Sequence, residues 1–66
     1  MAITYKKLRN IISEREIQMK TLEIETGISH TTLAKINKDE YVNLETLEIL
    51  ARHLKVEIGD IISLKR

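Results

Sequence analysis

The feature that most restricts the fold of this chain is a glycine between two short helical patterns, within residues 22–36 (LEIETGISHTTLAKI). Apolar residues recur here at spacings of three and four, which favours helices over strands. Gly27 follows the first pattern and adopts a left-handed conformation at low cost, so it predicts the end of that helix. Ser29 is a preferred N-cap, and it predicts where the next helix begins. Two helices are therefore expected to meet at a sharp corner.

The same spacing predicts helices on both sides of this corner. We expect them over residues 5–15, 19–26, 30–38 and 44–54, with a short fifth helix near residues 58–62. Thr4 and Asn43 are the expected N-caps of the first and fourth helices. Residues 2–4 and 62–64 alternate apolar and polar side chains, which allows two short strands to pair. The outer face of the first helix is expected to carry Lys6, Lys7, Arg9 and Asn10.

Length and composition exclude several kinds of protein. With 66 residues the chain has room for one domain, residues 1–66. It contains no cysteine and only two histidines, so we expect neither disulfides nor a zinc site, and no other metal. No run of about 18 apolar residues exists, and the first seven residues lack the apolar core of a signal peptide. We therefore expect no membrane association and a cytoplasmic location.

Motifs of catalysis are missing from the sequence. It has no glycine-rich phosphate loop and no nucleophile motif, so we expect no enzymatic activity, no cofactor and no small-molecule ligand. The series Glu14, Glu16, Glu23 and Glu25 is interpreted as a solvated face rather than an acid/base pair. His53 is interpreted as a surface or partly buried residue of the fourth helix.

The charge is distributed unevenly although the net charge is only +1. Residues 1–38 carry seven basic and four acidic side chains, whereas residues 39–66 carry four basic and six acidic ones. This asymmetry indicates a basic face and a neutral or acidic face. The basic half contains the predicted corner.

The spacing of the corner is that of a helix-turn-helix with a turn of three to four residues. The pattern Leu22-x4-Gly27-Ile28-Ser29-x3-Leu33-x2-Ile36, followed by LxxLAxxLKV over residues 47–56 and GDII over residues 59–62, resembles the Cro/repressor-type (XRE-like) helix-turn-helix family. The resemblance is to its short single-domain members and covers roughly residues 4–64. It implies an all-α, five-helix lambda-repressor-like DNA-binding domain, with the helix-turn-helix at about residues 19–38. The implied function is sequence-specific transcriptional regulation, with repression favoured over activation.

The resemblance also implies roles for individual residues. Positions that approach bases from the third helix correspond to Ser29, His30, Thr31 and Lys35. Positions that abut the DNA backbone correspond to Met19, Lys20, Thr32 and Lys38. The side chains suit these roles, because lysine can donate to guanine and a threonine methyl can meet a thymine methyl. Lysines also supply charge to phosphates.

One short recognition helix reads few base pairs, so useful specificity calls for a homodimer on a two-fold site. Members of the family often dimerise near the C-terminus, where we expect exposed apolar side chains at Val56, Ile58, Ile61 and Leu64.

Some residues depart from the family pattern. Glu23 stands where many members have alanine, and it must turn outward or find a partner. Asp39, Glu40 and Glu45 lie where the DNA backbone often passes and would repel it. These acidic residues and the low net charge keep open an alternative, in which the fold serves as a protein-interaction module of an antitoxin-like or antirepressor-like kind.

Overall fold

The structure, a computed structural model, describes residues 2–65 and places four α-helices between two short strands. In chain order the elements are β1 (Ala2–Thr4), α1 (Lys6–Glu14), α2 (Met19–Thr26), α3 (His30–Asn37), α4 (Leu44–Leu54), a 3-10 helix (Ile58–Asp60) and β2 (Ser63–Lys65). The strands pair antiparallel, with Ile3 opposite Leu64. The predicted helical fold and the pairing of the two ends are confirmed.

The expected fifth helix is shorter than predicted, so the α-helices in residues 2–65 number four rather than five. The Asp60 carboxylate accepts a hydrogen bond from the backbone N–H of Glu57 at 2.9 Å. This bond is part of a capping box at the start of a single 3-10 turn, in which the Ile61 N–H donates to the Ile58 carbonyl at 3.0 Å. The chain then passes through Ile61 and Ile62 into β2. The helix expected near residues 58–62 is thus a 3-10 turn over Ile58–Asp60, because the chain must extend beyond it to pair β2 with β1.

A small aliphatic core joins the helices. Helices of eight to eleven residues are marginal alone in water, and they depend on burying one face. A fully buried aliphatic or aromatic side chain contributes roughly 1.5–3 kcal/mol. Ile11, Ile12 and Met19 are partly buried and pack against this core. The buried residues are Tyr5, Leu8, Leu22, Ile28, Leu33, Ile36, Leu47, Leu50, Ala51, Leu54 and Ile61.

The corner between α2 and α3 has the predicted construction. Gly27 is left-handed, with φ of 75°, and its N–H donates to the carbonyl of Glu23 at 2.9 Å. A Cβ at this position would meet nothing within 4 Å, so the requirement for glycine comes from the backbone conformation and not from lack of space. Ile28 is buried between the helices, and the Ser29 hydroxyl caps α3 by accepting from the Thr32 N–H at 3.2 Å.

Two other predicted caps differ in detail. The N-cap of α1 is Tyr5 rather than Thr4, and the Thr4 hydroxyl accepts from the Lys6 N–H at 3.2 Å. Asn43 is the N-cap of α4, but its side-chain oxygen accepts from the Thr46 hydroxyl at 2.7 Å instead of a backbone N–H.

Among residues 2–65, no helix is long and apolar enough to cross a bilayer.

Candidate functional site

The third helix has a buried side and an exposed side. Leu33 and Ile36 lie in the core, with 2% and 0% of their surface accessible. The four predicted base-contacting residues are all exposed. Three of them occupy the N-cap and first turn of α3, and the fourth lies four residues beyond Thr31, one helical turn further along the same side. The structure therefore brings Ser29, His30, Thr31 and Lys35 together on one surface.

Two of these four side chains already have partners. The Ser29 hydroxyl caps α3 and also lies 2.9 Å from the hydroxyl of Thr32. A hydroxyl carries one donor and two acceptor lone pairs, so Ser29 keeps capacity for a further bond. The Nδ1 atom of His30 lies 3.3 Å from a carboxylate oxygen of Glu23 on α2. Glu23 has thus found the partner that its departure from the family pattern required.

The predicted phosphate-contacting residues fall into two groups. Lys20 and Lys38 are exposed, whereas Thr32 and Met19 are partly buried. Met19 packs against the core. The part of it suited to a phosphate is the backbone N–H, because the first N–H groups of a helix lack intrahelical partners.

A shallow groove beside α3 was not predicted. Thr32 and Lys35 line it from α3, and the other wall comes from the start of α4 and the loop before it. Tyr41 lies in this loop with 73% of its surface exposed. The available signal in the sequence was that Tyr41 is one of only two aromatic residues and precedes the N-cap Asn43. The groove thus extends the exposed side of α3 toward α4.

The far end of α3 is fastened to α1 by a set of hydrogen bonds that we call the α3 anchor, formed by Tyr5, Arg9, Ile36, Asp39 and Glu40. The Arg9 guanidinium donates to the Ile36 carbonyl at 3.0 Å and to the Asp39 carboxylate at 2.8 Å. The same carboxylate oxygen accepts from the Tyr5 N–H at 2.9 Å. The Tyr5 hydroxyl donates to the Glu40 carbonyl at 2.8 Å.

The anchor changes the expected role of two charged residues. Arg9 was expected on the outer face, but its side chain turns to α3 because two oxygens there are within reach. The hydrogen bond from Arg9, with that from the Tyr5 N–H, lowers the pKa of the Asp39 carboxyl to about 2. Burial raises the pKa of the Tyr5 hydroxyl, so it remains protonated as a donor. With Arg9 beside it, Asp39 would repel a phosphate less than the sequence suggests.

In and around the helix-turn-helix, lysines without a salt bridge in the described part of the chain lie among acidic side chains that have partners. Within residues 2–65, Lys20, Lys35 and Lys38 form no salt bridge, whereas three nearby acids are paired. Glu40 and Glu45 remain exposed. The described residues contain no group of three or more side chains able to hold a metal ion. The paired acids are Glu23 with His30, Glu25 with His53 and Asp39 with Arg9.

The C-terminal apolar residues are less exposed than expected. Ile61 has 0% of its surface accessible and belongs to the core, so the expectation that it is exposed is wrong. It lies between the 3-10 helix and β2, where the chain folds back over the helices. Val56 and Ile58 are partly buried against the core. Leu64 is the mostly exposed member of this set, at 61%.

Comparison with known proteins gives two matches. The model of the Cro/C1-type HTH DNA-binding domain matches residues 7–66. The crystal structure of the transcriptional regulator VanUg is similar to this chain with a TM-score of 0.88 and 32% sequence identity. That alignment covers 98% of this chain and 88% of the other. No curated protein sequence matches the chain.

Proposed function

Since the chain belongs to the Cro/C1-type helix-turn-helix family of DNA-binding domains, we propose that it is a sequence-specific transcriptional regulator that reads the major groove with α3. The observation that carries this proposal is the two-sided α3. Its buried side holds the helix in place, and its exposed side presents four hydrogen-bonding residues from the capped first turn onward. A helix held in this way can enter a major groove by its N-terminal end.

The exposed side chains have complementary recognition chemistry. Lys35 donates to guanine O6 or N7, and Thr31 offers a hydroxyl together with a methyl for thymine. His30 bonds through the ring nitrogen that Glu23 leaves free. Ser29 contributes what remains of its hydrogen-bonding capacity after capping α3.

We assign the phosphate contacts to residues that flank this surface. Lys20 and Lys38 supply charge, Thr32 supplies its hydroxyl, and Met19 supplies the N–H at the start of α2. Contacts at both edges would fix the register of α3 on the duplex, as backbone contacts generally do.

We further propose that residues 1–66 act as one domain and bind DNA as a homodimer, because one short helix reads too few base pairs for useful specificity. Leu64 supplies the most exposed apolar surface for the contact, with smaller parts from Val56 and Ile58. A dimer bound over a promoter excludes polymerase by occupancy alone, and for this reason we propose repression.

Selection from random duplex DNA, followed by binding measurements over a salt series, tests the proposal. We expect enrichment of a two-fold site with half-sites about one helical turn apart. Two lysine–phosphate contacts per protomer give a slope of log K against log salt of about −4 for the dimer. Folded protein that enriches no site and shows no salt dependence would contradict the proposal and favour the protein-interaction module, which a pull-down would then examine.

A further inference from the structure

We propose that Glu23 is a positioning residue that makes the free nitrogen of His30 a hydrogen-bond acceptor, and so favours adenine or cytosine opposite it. Adenine and cytosine are the bases that present an amino group in the major groove. The inference rests on the proposed function, because it requires α3 to face base edges. The observation behind it is the contact of 3.3 Å between the His30 Nδ1 atom and the Glu23 carboxylate.

The chemistry of the pair determines which nitrogen carries the proton. An ionised carboxylate can only accept hydrogen bonds, so the Nδ1 atom that faces it must be the donor. A neutral imidazole has one donor and one acceptor nitrogen. The Nε2 atom of His30 is then left with a lone pair and no hydrogen. The hydrogen-bond partner of one ring nitrogen thus determines whether the other nitrogen is a donor or an acceptor.

The Glu23 side chain is much less exposed than the His30 side chain that it contacts. Glu23 lies on α2 with 28% of its side chain exposed, whereas the His30 side chain is 83% exposed at the first residue of α3. The helix that carries Glu23 is fixed by the buried Leu22. Glu23 therefore acts on DNA through His30 and needs no contact of its own.

A second glutamate of α2, Glu25, contacts a different histidine and serves as a control. Glu25 lies 3.0 Å from the Nε2 atom of His53 on α4. Removal of Glu25 takes the same charge from α2 but leaves the contact of His30 unchanged. It therefore separates the specific effect on the imidazole from the general effect of a carboxylate near DNA.

The two tautomers predict different base preferences, and the difference is clearest at cytosine. With Nε2 as acceptor, His30 pairs with adenine N6 or cytosine N4. Without Glu23, the imidazole is free to carry its hydrogen on Nε2, and it can then donate to guanine O6 or N7, to thymine O4 or to adenine N7, whereas cytosine offers it no acceptor. A neutral hydrogen bond contributes about 0.5–1.5 kcal/mol, so the affinity for cytosine relative to guanine or thymine should change about 2- to 10-fold.

The first measurement uses the free protein and is independent of DNA. Nitrogen NMR of ¹⁵N-histidine-labelled protein at pH 8, where imidazoles are ordinarily neutral, should show His30 protonated on Nδ1. Glu23→Ala should shift the proton population toward Nε2, and Glu25→Ala should leave His30 unchanged. The same tautomer of His30 in the wild type and in Glu23→Ala would overturn the inference.

The second measurement compares selected sites at the same pH for the wild type, Glu23→Ala, Glu25→Ala, His30→Ala and the double variant of Glu23 and His30. We expect cytosine to be lost in favour of guanine or thymine at one position of each half-site, in Glu23→Ala alone, whereas adenine pairs with either tautomer. The effect of Glu23→Ala should vanish in the His30→Ala background. A shift that persists there, or that Glu25→Ala reproduces, would overturn the inference.

The two measurements also separate this inference from the proposed function. If the wild type enriches no site, the proposed function fails and the base preference fails with it. The tautomer measurement still decides whether Glu23 orients His30.

Discussion

The two ends of α3 are held in different ways. At the first turn, Ser29 and His30 have partners only in α2 and α3, and their side chains are exposed. At the last turn, the α3 anchor joins the chain to α1 through Arg9 and Tyr5, residues that lie 27 to 35 positions away in the sequence. The first turn of α3 is therefore held by contacts that are local in the sequence, and the last turn by contacts between distant residues.

This difference separates what α3 contacts from where α3 lies. Substitutions at the first turn can change base preference at little cost to the fold, because surface changes are usually within about 0.5 kcal/mol. Substitutions in the core or the α3 anchor change the position of the whole helix. Substitutions of neighbouring residues on opposite sides of α3 separate these two effects.

The largest effect is expected from Ile36→Ala on the buried side of α3. Loss of a fully buried isoleucine leaves a cavity and should lower the free energy of unfolding by about 2–5 kcal/mol. The neighbouring Lys35→Ala, on the exposed side, should change it by less than about 0.5 kcal/mol. Urea unfolding of both variants measures the contrast. Equal destabilisation would mean that α3 is not two-sided.

Lys35→Ala should act on DNA binding instead. We expect a loss of about 1–3 kcal/mol on the preferred site, with relaxed preference at one base pair. Lys38→Ala is the matched comparison, because it should weaken binding to all sequences and flatten the salt slope of the dimer by about two units, one for each protomer. Quantitative binding to the selected site and to single-base variants separates the two roles. Unchanged specificity in Lys35→Ala would remove it from the base contacts.

Gly27→Ala examines the corner that sets the angle between α2 and α3. Its φ of 75° costs a residue with a Cβ roughly 1–2 kcal/mol, and no clash adds to this strain. Gly59→Ala is the control, because its φ lies outside the left-handed region and an added Cβ meets nothing. Thermal unfolding should show a lower midpoint for Gly27→Ala alone. A similar loss in both variants would point to a general cost of replacing glycine.

The smallest effect is expected from the charge of Asp39 in the α3 anchor. Its pKa in the folded protein is lowered to about 2, so the ionised form stabilises the fold above the ordinary pKa near 4. This stabilisation should be lost as the pH falls from about 4 toward 2. Asp39→Asn keeps a residue suited to the left-handed φ of 57° but removes the charge.

The measurement for Asp39 is the urea midpoint as a function of pH. The gap between the wild type and Asp39→Asn should close as the pH approaches 2. Glu48→Gln is the control, since Glu48 forms an exposed salt bridge with Arg52 that should contribute little. If the difference in urea midpoint between the wild type and Asp39→Asn stays constant from pH 6 to 2, the negative charge of Asp39 does not stabilise the fold.

Prediction from the sequence succeeded where the signals are local. The bounds of α2 and α4, the left-handed Gly27 and the Ser29 cap all follow from residues within one or two turns of each other. The exposed side of α3 also followed from its helical spacing. Such features depend on backbone conformation and nearest neighbours, which a single sequence displays directly.

Prediction failed where a contact joins distant residues. The spacing of α1 placed Arg9 outside, but Asp39 draws its side chain to α3 across 30 positions. Ile61 was expected on the surface, but the pairing of β1 with β2 folds it into the core. The contact of Glu23 with His30 was predicted only in part, because the sequence indicated that Glu23 must turn outward or find a partner but did not identify the partner.

An amide-resolved NMR titration with the selected duplex tests most directly whether the exposed side of α3 reads base edges. If this base-reading role holds, the largest shifts should occur at His30, Thr31 and Lys35, with smaller ones at the start of α2. Shifts concentrated on α1 near Lys6 and Lys7, with α3 unperturbed, would contradict it.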